Sequence, residues 1–284
     1  MTAFRGSALT LALAGLLTSA CGGEAPPKTR DVALNFRAMV GSQPFACGQT
    51  YTGLGTTRTT FEPRDFRLYV HDVRLLTPSG EEVPVTVTDD GMWQRDGVVL
   101  LDFENKTGLC SNGTEAMNTR IVGTMPDVEV TGLRFKVGIP FELNHQDPLV
   151  TGAPLNVSTL FWGWEAGRVF VRVDGRTTGL SGFNFHLGST GCQTSAPNQV
   201  TSCAFPNRFE VELRDFQANW STDVVMDMAA LFSGSNLDTN QAQSAPGCMS
   251  AQNDTDCNPI FERLGLGIGG ASDKPGTQVF FRKG

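Results

Sequence analysis

The chain has 284 residues, 40% apolar and 18% charged, which is enough apolar material for one large core and too much for a disordered chain. Its 32 glycines and 15 prolines, and 19 phenylalanines against 2 tyrosines, describe a turn-rich fold with aromatics in the core and argue against an all-helical protein. Lys and Arg total 22 against 29 for Asp and Glu, so a net charge of −7 repels phosphate backbones and disfavours nucleic acid as a partner.

The chain begins with Arg5, an apolar run from Ala8 to Leu17, and small residues before Cys21. This pattern reads as a signal peptide over residues 1–20, with an apolar run too short to span a bilayer. Thr18-Ser19-Ala20-Cys21 resembles a bacterial lipobox, although Thr18 stands where an apolar residue is usual. The expectation is lipidation at Cys21, a tether over residues 21–30 and one domain over residues 31–284. The protein would then be an exported lipoprotein, on the outer membrane by the Gly22 that follows the cysteine, facing the periplasm or the cell surface. Ordinary cleavage with a free Cys21 is the alternative.

Without Cys21 six cysteines remain, an even number suited to disulfides in an oxidising compartment. Short loops favour Cys192 with Cys203 and Cys248 with Cys257, leaving Cys47 with Cys110. A thiolate metal site is the competing reading, weakened by the absence of any C-x-x-C pair.

From Asp31 onward, short apolar runs with polar residues interleaved at period two alternate with turn signals. Strands are expected at Asp31–Val40, Phe66–Leu76, Val83–Val87, Val98–Phe103, Asn118–Gly123, Val130–Val137, Arg168–Val173, Phe209–Leu213 and Gln278–Phe281. They predict a mainly β protein: a single antiparallel β-sandwich or barrel-like domain, each strand with one wet and one buried face, with long disulfide-braced loops. Short helices are expected in Pro154–Trp164, ended by Gly167, and in Asp227–Phe232 and Asn258–Leu264. The polar stretch from Ser233 to Asp256 reads as a surface excursion tied down by Cys248.

Only three histidines occur. His71 lies mid-strand and reads first as a partly buried strand residue, whereas His145 and His186 stand at strand ends, where side chains converge on pockets. Phe161-Trp162-Gly163-Trp164 places two of the four tryptophans around one glycine, midway between His145 and His186. Core packing accounts for it on composition alone. No nucleophile elbow, H-E-x-x-H, P-loop, dinucleotide fingerprint or C-x-x-C-H haem motif is present.

Pro44-Phe45-Ala46-Cys47-Gly48, Phe66–Val70, Val98–Glu104, Gly138–His145, Phe161–Trp164, Phe185–Cys192 and Gly247–Ser250, in that order, resemble the MbnP-like copper proteins, partners of MauG-like di-haem enzymes. The resemblance spans Asp31 to the C-terminus. It implies that the di-haem partner oxidises Trp162 to kynurenine, and that the product and two imidazoles hold one Cu(I). Indole nitrogen is a donor only, whereas opening the ring frees an amine lone pair, and neutral nitrogen donors suit copper. By the same resemblance His145 and His186 are the imidazoles, with His71 in reserve and Trp164 packing the site. The protein would be a copper binder and a substrate of its partner, not an enzyme. The rival readings are a β-sandwich that binds a glycan or protein without metal, and a copper oxidoreductase.

Overall fold

The computed structural model describes residues 28–218 and 222–284, together with Met1 and Thr2; Cys21, the signal peptide and the first residues of the expected tether lie outside the described residues. Two sheets dominate. The first runs in the order Phe281–Lys283, Asp223–Asp227, Thr29–Val40, Arg120–Pro126, Thr86–Val87. The second runs Phe209–Arg214, Gly132–Val137, Thr59–Leu76, Val171–Thr177, Phe183–Leu187, Gly247–Cys248, with Val98–Asp102 also paired to Thr59–Leu76.

The sheets face each other across one core. Val32, Leu34, Phe36 and Ala38 alternate inward from the first sheet and meet Leu68, Val70, Phe135, Val173 and Phe185 from the second. Phe135 joins the two layers, its ring 5.7 Å from Phe36 and 5.3 Å from Phe281. The expected β-sandwich is therefore present, and all three expected disulfides are formed.

Several elements depart from the expectation. Two strand pairs are parallel rather than antiparallel: Asn35–Met39 with Asp223–Asp227, and Asn184–Phe185 with Gly247–Cys248. Both join segments far apart in sequence, so no hairpin turn could have signalled them. The segment expected as one strand at Val83–Val87 divides, with Glu82–Pro84 in the second sheet and Thr86–Val87 in the first. The Ser233–Asp256 stretch is largely at the surface and tied down by Cys248, as expected, but Ser235, Leu237, Cys248 and Asp254 are buried and Gly247–Cys248 extends the second sheet. The helices Met228–Leu231 and Asn258–Leu264 form where expected, the first capped by the Asp227 carboxylate and the second ended by left-handed Gly265.

The long central strand is buried on both faces from Asp65 to His71, not on one. Its far side carries a second apolar cluster of Tyr69, Val98, Leu100, Ile139, Leu155, Leu160, Val169 and Phe170, with Trp93 and Trp162 packed against it. Residues 139–170 thus cover the outside of the sandwich, and this covering layer positions the candidate site.

Candidate metal centre

The helix expected at Pro154–Trp164 is not formed. A single 3-10 turn at Ser158–Leu160 leads into a tight hairpin, Phe161–Gly163 paired with Gly167–Arg168. Gly163 at φ 143° and Gly167 at φ 78° take conformations that other residues rarely adopt, so the chain turns here rather than coiling. Arg168, 1% exposed, fastens the hairpin to the preceding loop. It donates from Nε to the Leu155 carbonyl at 2.8 Å and from Nη1 to the Leu143 and Asn144 carbonyls at 2.7 Å, while its backbone N–H donates to Asn144 Oδ1 at 2.9 Å. Burial pushes its guanidinium below the ordinary arginine range.

The hairpin presents its two tryptophans differently. Trp162 leans onto the turn after Phe183–Leu187, where a Cβ on Gly188 would stand 2.5 Å from Trp162 Cζ3. Its ring centroid is 6.3 Å from that of His186, with the planes tilted by 39°. The indole Nε1 is buried and has no hydrogen-bond partner among the described residues, and the same holds for His186 Nδ1. His186 Nε2 is 2.6 Å from Asp174 Oδ1. Burial would raise the Asp174 carboxyl, but the His186 hydrogen bond and the Arg172 charge outweigh it and hold the group below the usual carboxylate range.

His145 ends the short helix Phe141–Asn144 and lies on the other side of the motif. Its Nδ1 is 3.2 Å from the Trp164 carbonyl, which can only accept, so Nδ1 carries the proton. Nε2 then holds the lone pair, which Asn144 Nδ2 approaches at 3.2 Å. Burial lowers the His145 pKa against the opposing pull of the Trp164 carbonyl, which favours the neutral ring. His71 is engaged elsewhere, donating from Nδ1 to the Gly138 carbonyl at 2.8 Å. The structure thus brings Trp162 and His186 together, places His145 against the backbone of Trp164, and leaves His71 in the sheet.

A cavity of about 610 Å³ opens between Trp162, Trp164, Ser189, Thr190, Cys192 and Met249. Trp164 also lines a second cavity of about 530 Å³ with Phe141, His145, Val150 and Val200. Between them lies the Cys192–Cys203 disulfide, which ties the hairpin strands Thr190–Ala196 and Gln199–Phe205 and brings Cys203 Sγ to 3.5 Å from His145 Nε2.

A model of the MbnP family matches residues 29–250. The solved structure of MbnP from Methylosinus trichosporium superposes with a TM-score of 0.80 at 31% identity, covering 90% of this chain and 99% of that one. The chain belongs to the MbnP family. No curated protein matches it at the same standard.

Within this MbnP-family fold, His145, Cys192 and Cys203 form a group whose ligand atoms lie within 4.8 Å of one another. Because the two sulfurs are bonded to each other, the group offers one metal donor, the imidazole, and not a thiolate set. The imidazoles of His186 and His145, with the Met249 thioether on the cavity wall, are donors of the type copper accepts, whereas the intact indole nitrogen of Trp162 has no free lone pair. Sequence reasoning missed Asp174, Gly188, Arg168 and Met249. The alternation Arg172-Val173-Asp174-Gly175-Arg176, three charges on one face of a strand, was the available signal for Asp174.

Proposed function

We propose that this MbnP-family protein is an exported, periplasm-facing copper-binding lipoprotein and not a catalyst. It holds one Cu(I) through His145, His186 and a kynurenine made from Trp162 by a di-haem partner, and serves copper homeostasis. The observation that carries this reading is the pair of buried, unpartnered nitrogens, Trp162 Nε1 and His186 Nδ1, on neighbouring rings. A buried polar atom without a partner costs about 1–3 kcal/mol; His186 Nδ1 is a lone-pair position open to a metal, and the ring beside it, Trp162, lines the cavity.

Indole as it stands has no lone pair to offer. Oxidative cleavage of its C2–C3 bond by the partner, with dioxygen or peroxide supplying the two oxygen atoms, followed by hydrolysis that releases the C2 carbon as formate, leaves a ketone and an aryl amine whose nitrogen is a usable donor. Trp164, which lines the cavities on both sides of the motif, stands beside the modified side chain in this reading.

Protein co-produced with the di-haem partner is expected to contain one copper, and Trp162→Phe and His186→Ala variants to contain none. His145→Ala is expected to lose binding as well; if it does not, His71 takes its place in the ligand set. Copper-free wild-type protein from the same host would favour a metal-free role for the aromatic cavity.

A further inference from the structure

His186 and Asp174 stand on neighbouring antiparallel strands in which Arg172 is opposite His186 and Asp174 is opposite Asn184. The imidazole reaches diagonally across one rung, bringing Nε2 to 2.6 Å from Asp174 Oδ1. A carboxylate oxygen accepts only, so Nε2 carries a proton, and in the neutral tautomer consistent with that contact the lone pair is on Nδ1. That nitrogen is the buried one with no partner.

Asp174 is itself braced. Its Oδ2 accepts from Arg172 Nε at 2.7 Å and Nη2 at 2.6 Å, and Arg172 Nε also lies 3.2 Å from Asp65 Oδ2. Asp65, fully buried, is gripped in turn by Arg67 Nε at 2.8 Å. Alternating charges therefore run through the sheet from Arg67 to Asp174, each holding the next in one orientation, and the last of them holds the His186 ring. Such a chain is costly to bury and leaves its last member little freedom.

We propose that Asp174, braced by Arg172 and Asp65, is a positioning residue that commits His186 to present Nδ1, rather than Nε2, to the copper ion. The inference rests on the copper reading for its consequence, but its geometric half stands on the metal-free chain. Carboxylates that hold the far nitrogen of a ligating imidazole fix its tautomer and orientation, and their loss weakens metal binding about 10- to 100-fold.

Two measurements test it. In metal-free wild-type protein with ¹⁵N-labelled histidine, long-range proton–nitrogen spectra should show His186 protonated at Nε2; protonation at Nδ1 overturns the inference. In protein whose oxidised Trp162 is verified by mass, Asp174→Asn should bind Cu(I) about 10- to 100-fold more weakly in competition with a chromophoric Cu(I) chelator, and Asp174→Glu, which keeps the carboxylate, should recover part of the loss. Wild-type protein that takes up no copper refutes the copper reading, whereas wild-type uptake that Asp174→Asn leaves unweakened refutes this inference alone.

Discussion

An indole N–H buried without an acceptor is held in place by packing, and Trp162 packs against the outer apolar cluster, the His186 ring and Gly188. Gly188 leaves room for the ring only because it has no Cβ. Gly188→Ala is therefore expected to destabilise the protein by about 1–3 kcal/mol and to reduce oxidation of Trp162 by its partner, measured by thermal unfolding and by mass; a variant unchanged in both would show that the ring is not seated on this turn.

Two buried titratable groups set opposing pH dependences. Burial lowers the His71 pKa from 6.5 to about 4, so the unfolded chain takes up the proton first. Its neutral form supports the fold above pH 6.5, and that support, roughly 3 kcal/mol, is lost as the pH falls toward 4. Burial raises the Asp102 carboxyl from 3.8 to about 7, against the Glu104 N–H and the Arg67 charge, so its contribution is present below pH 3.8 and lost as the pH rises through 7. The two slopes overlap in the whole protein and are separated by single variants. Urea unfolding across this range should show a shallower acid loss in His71→Gln and a shallower loss toward neutrality in Asp102→Asn; slopes equal to wild type would contradict the assignment.

At the scale of elements, the hairpin at Phe161–Arg168 was the hardest to read. Its apolar residues are compatible with a helix, and the deciding features are the two backbone conformations supplied by Gly163 and Gly167 and the anchoring of Arg168 to the Leu143 and Asn144 carbonyls, 25 and 24 residues upstream. Neither lies in local periodicity. Asn258–Leu264, by contrast, carries its own signals, with Pro259 in the first turn and Gly265 at the end, and was legible to the residue. A lysine at position 168 keeps the charge but cannot serve three carbonyls with a planar fork. Arg168→Lys is expected to destabilise by about 2–4 kcal/mol and to speed amide exchange in the hairpin more than in the central sheet; uniform exchange would mean the hairpin is not held by this residue.

At the scale of the molecule, alternating runs foretold a β-sandwich and short loops foretold two disulfides, because both follow from neighbours in sequence; the third pair, Cys47 with Cys110, was what remained. The parallel joins, and the central strand buried on both faces, depend on segments up to about two hundred residues apart and left no local mark. The site was legible in part for the same reason: Trp162, His145 and His186 stand in recognisable segments, while Asp174 acquires its role only when two strands pair. Cys47–Cys110 closes the longest covalent loop, across 63 residues. Replacing both cysteines by serine should lower stability by about 4 kcal/mol in denaturant unfolding, and no loss would show that the sandwich alone fixes these loops.

The most direct test of the copper account is the mass of the peptide containing Trp162, recovered from protein made with and without the di-haem partner and paired with copper content. The account predicts one carbon lost and one oxygen gained at Trp162 only when the partner is present, with one bound copper in that sample and none in the other. Tight copper binding by protein whose Trp162 is unmodified would contradict it.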